Sequence, residues 1–402
     1  MTHLFVNGLA ASASGGLTYL RNVIPHLSTK GDVSATVLLS PGLREEFSSL
    51  PGVVFLEANL EANPARRFWQ EQTMLRGLVS QSGADVLIST GNFALRKSPV
   101  PQILLSRNAL YTSADFFRDL RSRKDYRIWA DTKIKSFLAR RSIHWADCTV
   151  APSEAFAKEL RQWTRKEIVS VPHGFDHEAF FIAQQRLPPE VQKKVEAAQG
   201  SLRLLFVSHY NYYRNFETLF HGVALLKHRF PDRPFTLFLT CKLRSEDNPG
   251  AYDAGRASAL VHRLGISNNI VELGTVPYLL LHHLYRACDI YVTAAYAESF
   301  AHPLVEAMAS GLPVVASDLR VHREICGEGA VYFPRFSAEV MAERVLQVSQ
   351  SMILRRQLTD SSLKRSRDFS WSTHVAQIVQ LAEDLVKRNN GRHDGAKLEL
   401  VS

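Results

Sequence analysis

Short apolar runs alternate with longer stretches of helical periodicity from one end of this chain to the other. In the first half, Leu4-Phe5-Val6, Ala35-Thr36-Val37-Leu38-Leu39, Val53-Val54-Phe55-Leu56, Val86-Leu87-Ile88 and Ile103-Leu104-Leu105 have the length and branching of buried strands. Helical spacing falls between them, as over residues 18–27 and 65–79. Thr149-Val150-Ala151 and Ile168-Val169-Ser170-Val171 bracket a further helix, with Ser153 as its N-cap and Glu154 in its first turn. The alternation predicts α/β layers built on parallel sheets.

The pattern then breaks. Val171-Pro172-His173-Gly174-Phe175-Asp176 closes the run, and the polar segment to Gly200, with Pro188-Pro189, has the composition of an interdomain connection. A second α/β unit opens at residues 202–207, with later strands expected at 235–239, 270–273, 290–292 and 313–316. Two halves of this kind predict two nucleotide-binding-type domains, residues 1–172 and 173–370, with a ligand cleft between them. A last helix is expected from Trp371 to about residue 387–389, followed by a flexible tail over 390–402.

Length and composition change this picture little. At 402 residues the chain can build a core in each half. Cys148, Cys241, Cys288 and Cys326 are scattered without a Cys-x-x-Cys pair, which argues against a zinc site or disulfide framework and for a reducing compartment. The chain shows no opening signal peptide and no apolar run near 18 residues, so a cytoplasmic protein is expected. The formal charge of +9 calls for a partner or a role in solubility. Basic residues gather over 118–141, interleaved with Phe116, Phe117, Tyr126, Trp129 and Phe137. That stretch reads either as a face lying on anionic lipid or as a solvated helix with its aromatics turned inward. No nucleic-acid motif accompanies it.

The candidate chemistry is densest at Glu298-Ser299-Phe300-Ala301-His302-Pro303-Leu304-Val305-Glu306. Pro303 suits a first helical turn, so the segment is expected to pass from loop into helix and to present backbone N–H groups to an anion. Carboxylates flanking a phosphate site can accept hydrogen bonds from sugar hydroxyls, which describes a pocket for a sugar attached to a diphosphate. The bland alternative is a pair of helix-surface glutamates.

This segment, with Gly311-Leu312-Pro313-Val314-Val315-Ala316-Ser317-Asp318 after it, resembles the signature of retaining family 4-type glycosyltransferases of the GT-B fold. Their pattern is Glu, seven residues, Glu; here Ser299 stands where Gly is usual. The resemblance implies two Rossmann-like domains facing across a cleft, an N-terminal acceptor half to which the final helix returns, and a C-terminal half for a nucleotide-diphosphate sugar. It implies that Glu306 binds the donor ribose and Glu298 the transferred sugar. In Phe206-Val207-Ser208-His209-Tyr210-Asn211-Tyr212-Tyr213-Arg214-Asn215 it puts Arg214 at the usual Lys position and His209 at the usual Arg position, two cations for the diphosphate. As plain alternatives, Arg214 is a surface residue before a helix and His209 a satisfied loop histidine.

Further donor-side candidates are Gly15 and Gly16 before the first helix, Lys242, the backbone of Val276 near the base, and the Phe300, Ala301, His302, Pro303 and Leu304 segment. A Gly-Gly turn can equally be a loop requirement, and Lys242 an ordinary exposed lysine. On the acceptor side, Gly91, Asn92, Ser106, Arg107 and Asn108 follow strand ends; many family members have a histidine there and this chain has none over 106–111. These loop ends read equally well as having no function.

The leading expectation is therefore a retaining glycosyltransferase acting on a glycan or lipid-linked acceptor at the membrane surface. With no Asp-x-Asp triplet it would need no metal, and the sugar nucleotide would be a substrate rather than a cofactor. A sugar-nucleotide epimerase of the same fold and a non-catalytic binding protein are the alternatives. Arg214→Ala is expected to cost turnover with little loss of folding.

Overall fold

The computed structural model describes residues 1–11, 15–59, 64–229, 233–248 and 252–399. The chain divides into two compact units. One comprises Met1–Thr112, Ala130–Gly174 and Ser370–Ser402; the other comprises Ser113–Trp129 and Phe175–Phe369.

The first unit holds seven parallel strands: β1 (Thr2–Asn7), β2 (Val33–Leu39), β3 (Val53–Glu57), β4 (Val86–Ser89), β5 (Gln102–Leu105), β6 (Cys148–Ala151) and β7 (Val169–Ser170). Their order is β3-β2-β1-β4-β5-β6-β7, so Leu4 of β1 lies opposite Ala35 on one side and Val86 on the other. Successive residues of β1 point to opposite faces, as a strand dictates. Leu4 and Val6 share one core cluster with Tyr19 and Leu20 of helix Gly15–Ser28 and Trp371, Val375 and Ile378 of helix Trp371–Glu399, while Phe5 belongs to another with Leu75 and Val79 of helix Pro64–Ser82. Burial on both faces explains why these strands read as continuous apolar runs.

The second unit repeats the arrangement with six parallel strands: β8 (Leu202–Phe206), β9 (Phe235–Leu239), β10 (Ile270–Glu272), β11 (Ile290–Thr293), β12 (Val314–Ser317) and β13 (Ala330–Phe333). The order is β10-β9-β8-β11-β12-β13, with Leu204 of β8 between Leu237 of β9 and Ile290 of β11. In each sheet the strand order reverses beside the first strand. The loops that leave the carboxyl ends at that reversal diverge to opposite faces and open a crevice, the favoured binding place in such sheets.

Four features differ from the sequence reading. β13 is an additional strand; its four residues end at Pro334, and only parallel pairing with β12 identifies it. The polar connection after Gly174 contains helices His177–Phe181 and Pro189–Ala197, both in the second unit, anchored by the fully buried Phe180. The basic aromatic stretch is two helices, Ala114–Ser122 and Tyr126–Trp145, and the first packs within the second unit. The final helix runs to Glu399, past the expected stop; residues 400–402 of the expected tail lie outside the described residues.

Candidate active site

At the β8/β11 reversal the structure brings Arg214 and Glu298 together. The loop after β8 ends in a short turn, Tyr212–Arg214, and the left-handed Asn215 (φ 57°). Asn215 Nδ2 donates to the carbonyls of Ala294 (3.1 Å) and Arg335 (2.7 Å), and Tyr296 N–H donates to Tyr213 O (2.9 Å). These bonds hold the β8 and β11 loops side by side, so Arg214 Nη1 donates to Glu298 Oε1. The side chains are only 17% and 10% exposed.

Burial raises the pKa of Glu298 against the opposing pull of Arg214 and of the Ser299 N–H. For Arg214, burial works to lower the pKa, yet the carboxylate of Glu298 leads the influences that hold it above its ordinary value. The guanidinium thus opposes, without outweighing, the rise that burial imposes on the carboxylate. Arg214→Ala would strand that carboxylate, so the expectation of little loss of folding does not fit this geometry.

His209 lies in the same loop, half-buried. Burial and the charge of Arg214 both lower its pKa, so the imidazole is neutral at pH 7 and Arg214 supplies the positive charge.

Glu306 sits one helical turn into helix His302–Ala309 and is 5% exposed. Tyr285 Oη donates to its Oε2 at 2.8 Å. Burial pushes its pKa up to about 7 against that hydrogen bond. The helix start is less open than the spacing suggests. Pro303 has no N–H, and Leu304 N–H donates to Ala301 O at 3.0 Å because Ala301 adopts a left-handed conformation (φ 69°) that turns its carbonyl inward. Phe300 and Leu304 have buried side chains, the former against His302 and Phe369, so both serve the core. The carboxylates, rather than a row of amides, dominate this end of the sheet.

Behind the pair, His322 donates through Nδ1 to Ser317 O (2.8 Å), and its buried Nε2 has no hydrogen-bond partner. Burial lowers its pKa to about 4, and Arg214 adds to that effect. Lys242 is exposed, with its aliphatic stem beside Gly274, whose φ of +78° suits glycine; Val276 is buried two residues on. Tyr285, Asn215 and His322 are functional-site neighbours that the motif did not single out. A tyrosine at helical spacing reads as core, and its hydroxyl partner is set by packing alone.

The first unit gathers its own set. Gly91 allows the β4 loop to touch Ala10, since a Cβ there would lie 2.3 Å from that methyl. Arg107 N–H donates to Asn92 Oδ1 (2.6 Å) and its Nη2 to Thr90 O (2.6 Å), with the guanidinium carbon 4.7 Å from the Tyr19 ring centroid. Tyr19 Oη is 3.0 Å from His374 Nε2, whose ring also donates through Nδ1 to Pro172 O, and the His173 ring lies tilted against Tyr19 at 5.4 Å. Asn108 caps the turn Ala109–Tyr111 and Ser106 is buried. Asn92 and Asn108 are thus already engaged within the protein. Gly15 and Gly16 open helix Gly15–Ser28; a Cβ on Gly16 would approach Ala11 Cα to 3.1 Å, and residues 12–14 before it lie outside the described residues.

Residues 189–365 match the family described as Glycosyl transferases group 1, and residues 13–179 match Glycosyltransferase Family 4. D-inositol 3-phosphate glycosyltransferase of Corynebacterium glutamicum (strain R) is 25% identical over 224 residues, covering 55% of this chain and 52% of the relative. Phosphatidyl-myo-inositol mannosyltransferase of Mycobacterium tuberculosis (strain ATCC 25618 / H37Rv) is 26% identical over 254 residues, 60% of each chain. The chain thus spans about half the length of the first relative and 60% of the second. Anabaena HepE, solved in complex with UDP-glucose, shares the fold with a TM-score of 0.70 over 96% of this chain and 100% of that one, at 17% identity. With one family match in each half, and two parallel sheets that share the order 3-2-1-4-5-6 of their first six strands, the chain belongs to the group 1 and family 4 glycosyltransferases of the GT-B fold.

Proposed function

We propose that the protein transfers a sugar from a nucleotide-diphosphate donor to a glycan or lipid-linked acceptor, with retention at the anomeric carbon and without a metal. The observation that carries this reading is the buried Arg214–Glu298 pair, with Glu306 one turn into the adjoining helix. A guanidinium fork suits phosphate oxygens, and a charge held in a site of low exposure stabilises a departing diphosphate more than it would in water. As Arg214 turns to the diphosphate, Glu298 becomes available to a hydroxyl of the transferred sugar. Glu306 would accept from the ribose hydroxyls, and His209, neutral in the free protein, would gain a proton beside the diphosphate. UDP-glucose in Anabaena HepE illustrates the donor class on this fold.

The test is sugar transfer by wild type and Arg214→Gln, which removes the charge and keeps a donor to Glu298. A panel of UDP-, GDP- and ADP-sugars is first ranked by the thermal stabilisation each confers. Loss of transfer with the fold retained is expected; an unchanged rate would reject the assignment.

The same reading places the enzyme on an anionic membrane surface. Tyr126, Ile134 and Phe137 are exposed on helix Tyr126–Trp145, more than 60% each, among exposed Arg127, Lys133, Arg140 and Arg141. Phe116 and Phe117 are buried and drop out of this face. No helix among the described residues is long and apolar enough to cross a membrane. A lipid acceptor accords with the phosphatidyl-myo-inositol in the name of the mycobacterial relative.

A further inference from the structure

We propose that Asp119 and Arg123 are positioning residues of the donor site, bracing the two loops that carry Arg214 and Glu298; this rests on the donor-site reading above. Helix Ala114–Ser122 comes from the chain between β5 and β6 yet packs within the second unit. Ser113 caps it by accepting from Phe116 N–H (3.2 Å), and Phe116 and Leu120 are fully buried. The Phe116 ring meets Tyr213, the residue before Arg214, edge-on at 6.5 Å.

The polar side of the helix ends on both loops. Asp119 Oδ2 accepts from Tyr296 Oη (2.7 Å), two residues ahead of Glu298, and its Oδ1 accepts from Arg123 Nε (2.8 Å). Arg123 Nη2 donates to Glu217 Oε1 (2.6 Å), three residues past Arg214, and its guanidinium carbon lies 4.1 Å from the Tyr212 ring centroid. Arg214 is therefore flanked along the chain by two residues that Arg123 holds. Side-chain exposures of 9% for Arg123 and 19% for Asp119 leave little water to replace the bond between them, while Glu217 is 33% exposed. Charge-assisted bonds so enclosed fix geometry in a way that surface pairs do not. Asp115, which accepts from Arg335 Nη2 at 2.5 Å, ties the same helix to the loop after β13; among the described residues it has no direct bond to Tyr212, Glu217 or Tyr296, and its link to the Arg214 loop runs through the Arg335 backbone, whose carbonyl accepts from Asn215.

The experiment measures the affinity of the full chain for UDP, GDP, ADP and inorganic pyrophosphate by calorimetry. Asp119→Asn, Tyr296→Phe and Arg214→Gln are compared singly, and Asp119→Asn is combined with Arg214→Gln. Asp115→Asn serves as the control for loosening the helix. Asp119→Asn and Tyr296→Phe are expected to weaken binding at least about fivefold, with Asp115→Asn near wild type. In the Arg214→Gln background, Asp119→Asn should cause no further loss, because its effect passes through Arg214. Equal losses from Asp119→Asn and Asp115→Asn, or full additivity with Arg214→Gln, would overturn the positioning role. If Tyr296→Phe, which removes one hydroxyl and keeps the ring, leaves affinity unchanged, the brace is likewise rejected. Wild type binding none of the four probes, or Arg214→Gln binding as wild type does, would instead overturn the donor-site reading, and this inference with it.

Discussion

Glu306 and Glu298 are both buried carboxylates, and their neighbours set them to different tasks. Glu298 faces a guanidinium, whereas Glu306 accepts from the Tyr285 hydroxyl and has its pKa pushed up from 4.5 to about 7. Between those two values the folded chain keeps a proton that the unfolded chain has lost. Stability therefore falls as pH rises through that window and stays low above it. Glu306→Gln has no proton to lose. Its stability relative to wild type should rise by up to roughly 3 kcal/mol from pH 4.5 to above 7, read by urea unfolding across pH. A donor whose ribose hydroxyls need the carboxylate should also release protons on binding near pH 7, which calorimetry in buffers of different ionisation enthalpy detects.

The ion pair gives a second prediction at this scale. Arg214→Ala leaves Glu298 without its counter-charge and should cost about 2–3 kcal/mol, because a stranded buried carboxylate is worse than a neutral one. Arg214→Ala combined with Glu298→Gln should recover part of that loss in thermal unfolding. A double variant no more stable than the single would show that Glu298 is not held by this charge.

Among the elements, the junction between the last helix and the chain leaving the first unit is tightly packed backbone against backbone. A Cβ on Gly174 would lie 2.1 Å from the backbone nitrogen of Trp371, in the turn that seats Trp371 and Val375 against β1. Backbone cannot yield as a side chain can, so Gly174→Ala should destabilise by 3 kcal/mol or more, on the order of a severe core mutation. Gly77 gives the opposite expectation. It is exposed inside helix Pro64–Ser82 with nothing within 4 Å of a Cβ, and Gly77→Ala should stabilise by about 0.5–1 kcal/mol. Denaturant midpoints of the two variants check both.

At the scale of the whole molecule, part of the charge of +9 is concentrated on one helix. Exposed Arg127, Lys133, Arg140 and Arg141 stand around Tyr126, Ile134 and Phe137 on one helix. Each basic residue near an anionic surface contributes roughly 1 kcal/mol, enough together for reversible, salt-sensitive attachment. Co-sedimentation should recover the protein with anionic vesicles at low salt and not with neutral vesicles or at high salt. Phe137→Ser with Ile134→Ser should weaken it. Equal recovery with both vesicle types, or none with either, would reject the membrane surface and favour a soluble acceptor.

The alternation of apolar runs and helical spacing was enough to place twelve strands and two α/β halves, because strands buried on both faces must be continuously apolar and crossover helices must separate them. The Glu298–Glu306 spacing likewise marked the site, since a loop entering a helix keeps its chemistry local in sequence. Tertiary structure decided the rest. Which partner Arg214 meets, the Tyr285 bond to Glu306 and the lodging of Asp119 and Arg123 beside the β8 and β11 loops all join residues 20 to 180 positions apart. Local periodicity carries no record of such pairings. The basic stretch from Phe116 to Arg141 shows the limit most plainly: its buried Phe116 and exposed Phe137 are the same residue type in similar basic surroundings, and only packing separates core from surface.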